Sequence, residues 1–241
     1  MTPVVHNYSH LAGRTVHWDT TDSEESYQRN LVTPVTRARL KQLGWIDITI
    51  DYSFNGDGFR NPEFDTVYDV LCFGCSFTMG TGVQASMTWP SQLQSLTGLQ
   101  VANLGHAGSS NDTVFRFALH YLPKLRPSVA VWLQTDRHRI ELIDDAGPTS
   151  LNIMASDRYN PCAHDYFTRT WFSSDTNQQL NLQKNALAFR HLCDQLDIKS
   201  IIMPRETLKS HGLPTSGSAR DLMHPGVDDY AEIAQLVASQ L

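Results

Sequence analysis

The sequence predicts an α/β fold built on a mostly parallel sheet covered on both faces. From Val67 onward, short apolar runs alternate with amphipathic stretches of helical period, the pattern of strands joined by crossover helices. At 241 residues the chain is long enough for one substantial core, since a domain of that size buries most of its apolar surface. Its 41% hydrophobic and 18% charged residues are ordinary for a soluble globular protein and give no support for disorder, collagen or coiled coil.

Residues 1–65 read as a polar N-terminal extension packed on the core, and 66–241 as the main domain. In the extension, Ile46, Ile48, Ile50 and Tyr52 alternate with Asp47, Thr49 and Asp51, the period-two signature of a half-buried strand. Asn55-Gly56-Asp57-Gly58 follows as a turn. In the main domain, strands are expected at Val67–Phe73, Gln100–Leu104, Val129–Gln134 and Lys199–Met203. Helices are expected at Trp89–Leu96, Asp112–Leu122, Leu182–Leu196 and Val227–Gln240. Asn111 or Asp112 caps the second of these. Between about 141 and 179 the rhythm breaks into an insertion with aromatics at Tyr159, Tyr166, Phe167, Trp171 and Phe172. Such insertions serve as lids, binding walls or oligomer contacts.

Nineteen basic against 25 acidic residues give a net charge of -6, which argues against nucleic acid or an anionic membrane as partner. No stretch approaches the roughly 18 apolar residues of a membrane span, and Met1–Gly13 lacks the basic and apolar regions of an export signal. The chain therefore reads as soluble, and cytoplasmic by default. Cys72, Cys75, Cys162 and Cys193 have no regular spacing, so they read as structural rather than as a disulfide framework or a zinc or redox site.

Three clusters can carry chemistry. Gly74-Cys75-Ser76 follows the first core strand, so Ser76 sits where open α/β sheets hold ligands. A serine hydroxyl needs a base before it attacks an acyl carbon. Asp221-Leu222-Met223-His224-Pro225, just before the last helix, supplies one: His224 as proton shuttle, with Asp221 three positions earlier to hold its Nδ1. Asn103 to Asp112 follows the second strand, and Gly108 there is free of a Cβ that would keep its N–H from a developing oxyanion. His106, in the same loop, reads as structural or substrate-lining. Arg137-His138-Arg139 reads as a basic turn, with Arg137 able to face an acidic substrate group.

In their order and setting, these blocks resemble the SGNH/GDSL hydrolases over about residues 66–241. The resemblance implies a three-layer α/β/α sandwich with a sheet of about five strands. It also implies esterase, lipase, deacetylase or related acyl-transfer activity. Ser76 then matches the nucleophile and the first oxyanion donor, Gly108 the second, and Asp221 and His224 the rest of the triad. Arg60, in Asn55-Gly56-Asp57-Gly58-Phe59-Arg60, matches an N-terminal element of some members and takes a supporting or substrate role. The chain departs from the family twice. Cys75 stands where the family has Asp, and Leu133-Gln134-Thr135-Asp136 replaces its Gly-x-Asn-Asp. Gln134 or Asn111 is the expected substitute for the missing oxyanion amide, because a carboxylate at Asp136 would repel the oxyanion. The expected substrate is a short-acyl ester of a carbohydrate or small molecule, with no metal or other cofactor. An acyltransferase and a non-catalytic binding protein of the same fold are the alternatives.

Overall fold

Short strands buried on both faces at the centre of a parallel sheet organise the molecule into three layers. The computed structural model describes residues 9–144, 147–152, 174–205 and 217–241. The N-terminal part carries β1 (Thr15–Val16), α1 (Glu24–Val32), α2 (Pro34–Gln42) and β2 (Tyr52–Ser53). The core runs β3 (Val70–Gly74), α3 (Ser76–Met79), α4 (Trp89–Thr97), β4 (Val101–Gly105), α5 (Asn111–Leu125) and β5 (Val129–Leu133). A hairpin of β6 (Arg139–Asp144) and β7 (Gly147–Asn152) follows, then α6 (Asp175–Gln195), β8 (Lys199–Met203) and α7 (Val227–Ala238).

Strands β4, β3, β5 and β8 form, in that spatial order, a four-stranded parallel sheet. β3, β4 and β5 are buried along their whole length, so alternate residues feed two separate cores. Val70, Cys72, Val131 and Leu133 join Trp89 and Leu93 of α4 and Tyr230, Ile233 and Val237 of α7. Leu71, Phe73, Ala130 and Trp132 join Val114 and Phe117 of α5 and Phe189 and Cys193 of α6. The result is a three-layer α/β/α sandwich as expected, with four strands in its main sheet among the described residues instead of about five. Tyr27, Leu40, Trp45, Ile50 and Tyr52 from the N-terminal part belong to the first of these cores.

Three local expectations need correction. The strand foreseen over Ile46–Tyr52 shrinks to Tyr52–Ser53, paired antiparallel with Thr15–Val16. Asp47 adopts a φ of 60°, which breaks the extended run, and Ile48 is 40% exposed. The stretch from about 141 to 179 is regular at both ends: β6 pairs with β7, and α6 begins at Asp175, capped by Ser174. The early turns of α6 carry no apolar period because the buried side chains of this helix are Asn185, Phe189 and Cys193. The cap of α5 is Ser110, in a reciprocal pair with Thr113, and not Asn111 or Asp112. The aromatics foreseen from Tyr159 to Phe172, like Cys162, lie outside the described residues. Among the described residues, Cys72, Cys75 and Cys193 are buried free thiols, and no helix is long and apolar enough to cross a membrane.

Candidate active site

β3 ends at Gly74 and the chain turns at once into the single turn of α3, which puts Ser76 at a helix N-terminus beyond a central strand. A Cβ on Gly105 would run into the Thr78 and Met79 backbone, so glycine is what lets β4 lie against this turn. Asn103 completes the joint: its Nδ2 donates to Thr78 O at 2.8 Å and its Oδ1 accepts from Gly105 N at 2.9 Å. Helix geometry leaves the Ser76 N–H without an intrahelical acceptor. The turn that holds the serine therefore also leaves a donor unspent beside it.

Asp221 and His224 arrive from the loop before α7. His224 Nε2 lies 2.8 Å from Ser76 Oγ, and its Nδ1 lies 2.6 Å from Asp221 Oδ2. With a carboxylate at Nδ1, the proton sits there and Nε2 is left to accept from the serine hydroxyl. All three residues are buried: Ser76 is 7% exposed, Asp221 5% and His224 8%. The loop is shaped by Leu222, whose φ of 57° turns the chain so that Met223 N and His224 N both donate to Asp221 Oδ1, at 2.9 and 3.0 Å. Burial pushes the Asp221 carboxyl up, but His224, Thr21 and the Met223 N–H outweigh it and hold the carboxyl below its ordinary range. Asp221 is thereby kept ionised, the form that orients the imidazole.

The remaining candidates occupy different places around this trio. Gln134 continues β5, which pairs with β3, so it stands at the same sheet end as Ser76 and is buried. Asn111 is already committed: its Oδ1 accepts from Thr135 N at 3.0 Å and its Nδ2 faces Thr135 O at 3.4 Å. It thus anchors the loop after β5. Asp136, feared as a bare carboxylate, is neutralised by Arg205 at 2.8 Å and Arg139 at 3.4 Å. Gly108 adopts a φ of 76° with open space where a Cβ would be. His106 is buried in the same loop, its Nδ1 3.2 Å from Ser109 Oγ and its ring against Phe117. Arg137 pairs on the surface with Asp175 at 3.0 Å. Arg60 is buried and spends its guanidinium on the carbonyls of Gly80, Val83 and Asp51, which makes it a clamp on the loop after Ser76.

No protein-family model matches the chain, and no curated protein does. Among solved structures it is similar to TesA, at 14% identity over 71% of this chain and 97% of that one, with a TM-score of 0.45. A Clostridium thermocellum family 3 carbohydrate esterase aligns at 12% identity over 72% of this chain and 94% of its own, with a TM-score of 0.38. A member of the lipolytic protein G-D-S-L family from Veillonella parvula DSM 2008 aligns at 14% identity over 71% and 98%, with a TM-score of 0.37.

Sequence reasoning missed the residues that hold the trio from a distance. Arg220, beside Asp221, forms a buried bidentate pair with Asp22, at 2.9 and 2.7 Å, and donates to Ile48 O and His17 O. Its guanidinium lies 4.1 Å from the Trp18 ring centre. Tyr52 donates to Asp22 at 2.6 Å and accepts from Gly82 N at 2.8 Å, tying this pair to the loop after Ser76. Arg205 stacks 4.4 Å over Phe77, whose ring also packs edge-on against His224. None of these contacts has a local motif. Among the described residues, no group of three or more His, Cys, Asp or Glu side chains is placed to hold a metal ion.

Proposed function

We propose that this chain is a serine hydrolase of the SGNH/GDSL type that cleaves a short acyl ester of a carbohydrate or small molecule. The observation that carries the reading is the continuous hydrogen-bond line Ser76 Oγ to His224 Nε2 at 2.8 Å and His224 Nδ1 to Asp221 Oδ2 at 2.6 Å. In this reading His224 takes the Ser76 proton as Oγ attacks the ester carbonyl. The oxyanion that forms is met by the N–H groups of Ser76 and Gly108 and by the Gln134 side-chain amide. His224 then gives the proton to the leaving alcohol, and water releases the acyl group by the same route reversed. Asp221 stays ionised throughout and stabilises the imidazolium. Gln134 is preferred to Asn111 because Asn111 is already bonded to the Thr135 backbone.

Labelling with a fluorophosphonate and a chain-length series of p-nitrophenyl esters test the proposal together. The wild-type protein is expected to be labelled at Ser76 and to prefer acetyl over octanoyl esters. Ser76→Ala is expected to lose labelling and at least about a thousandfold in kcat. Hydrolysis by Ser76→Ala at the wild-type rate would overturn the reading.

A further inference from the structure

Asp221 Oδ2 accepts a second hydrogen bond besides that of His224. It comes from Thr21 Oγ1, at 2.7 Å, from a residue 200 positions away in the chain. The other donors to this carboxylate, Met223 N, His224 N and His224 Nδ1, all belong to its own turn. Two lone-pair sites on each of two oxygens make four places for a donor. Thr21 fills the last of them.

The segment around Thr21 is built to present that hydroxyl. Asp19 N donates to Asp22 O and Asp22 N to Asp19 O, both at 3.1 Å, closing a tight turn with Thr20 and Thr21 at its tip. Thr20 takes a φ of 52°, a conformation that is costly for a β-branched residue and persists only where its surroundings enforce it. The enforcement is visible on both sides. Asp22 is locked to Arg220 in an ion pair whose two side chains are each 1% exposed. Next to Asp221 in the chain, Leu222 is also left-handed, with a φ of 57°. A contact with a left-handed non-glycine residue on each flank is a place where backbone energy has been spent on geometry.

We propose that Thr21 is a positioning residue of the Ser76–His224–Asp221 site, and that residues 17–22 are an integral part of that site. By holding Oδ2, Thr21 fixes the rotation of the Asp221 carboxylate and hence the imidazole plane. The proposal rests on the hydrolase reading above for its chemistry, while the hydrogen bond itself can be read without turnover.

The test compares the full-length wild-type chain with Thr21→Val, which keeps the shape without the hydroxyl, and Thr21→Ser, which keeps the hydroxyl. Thr21→Ala is read in the same way as the valine variant, and serves if branched bulk impairs folding. The valine or alanine variant is expected to be labelled by a fluorophosphonate about tenfold more slowly. Its kcat on p-nitrophenyl acetate should fall by the same factor, with KM within about twofold. Thr21→Ser should regain most of both. The His224 Nδ1 proton, followed by NMR, should shift or exchange faster in the valine variant and return in the serine variant.

Wild-type rates and an unmoved proton resonance in Thr21→Val would overturn the proposal. Equal loss in Thr21→Ser and Thr21→Val would also do so, because the hydroxyl would not be what matters. A wild-type chain that is neither labelled nor active would count against the hydrolase reading instead, and the proton resonance would then decide Thr21 alone.

Discussion

Asp221 is the residue on which the site turns, because four donors converge on a carboxylate that burial alone would have made harder to ionise. The same reasoning separates the two amides offered as oxyanion donors. Asn111 is spent on the Thr135 backbone, whereas Gln134 stands at the end of the strand beside Ser76. Gln134→Ala is therefore expected to lower kcat by about 100-fold with little change in KM, the cost of one oxyanion donor. Asn111→Ala should instead show its main effect in urea unfolding, at about 1–3 kcal/mol for orphaning buried backbone groups. If Gln134→Ala keeps full kcat, the amide is not in the oxyanion hole. The convergence of Ser76, Asp221 and His224 was legible in the sequence because each sits in a short motif just beyond a strand or just before a helix. Thr21, Asp22 and Arg220 were not, since their contacts span about 200 residues and leave no local trace.

At the level of elements, β3 and β5 were readable because both of their faces are buried, which forces the continuous apolar runs Val70–Phe73 and Val129–Leu133. Period-two alternation misled at Ile46–Tyr52, where a turn at Ile46–Asp47 and an irregular stretch precede a strand that begins only at Tyr52, although Ile50 and Tyr52 are both buried. The first turns of α6 were illegible for the opposite reason, having no buried face to write a period into the sequence. The joint between β4 and α3 rests on a glycine whose need no single-sequence pattern reveals. Gly105→Ala must push its Cβ into the Thr78–Met79 backbone, so it is expected to destabilise by about 3 kcal/mol or more. A chemical melt showing wild-type stability would mean that β4 and the serine turn can separate without penalty.

Across the whole molecule, the N-terminal part bears on the sheet and on the candidate site at once, and its charges make stability depend on pH. Asp19 begins the turn that presents Thr21, and its Oδ2 has no hydrogen-bond partner among the described residues. Burial raises its carboxyl from 3.8 to about 6, against the pull of Arg60 and with the push of Asp22. A folded-state value above the unfolded one means that between about pH 4 and 6 the native chain holds a proton that the unfolded chain has released. Stability from this group therefore declines as pH rises through that window, and the full penalty stands above about 6. Asp221 works in the other sense: its lowered carboxyl contributes stability above the ordinary carboxylate value and loses it as pH falls. Asp19→Asn mimics the protonated form, so at pH 7.5 it should unfold at higher urea than wild type, by on the order of 1 kcal/mol after allowance for partial exposure. At pH 4 the advantage should vanish, because wild-type Asp19 is then protonated in the folded state as well. A gap of equal size at both pH values would show that the asparagine acts through something other than the buried charge, and that the turn beside Thr21 tolerates an ionised Asp19 without cost.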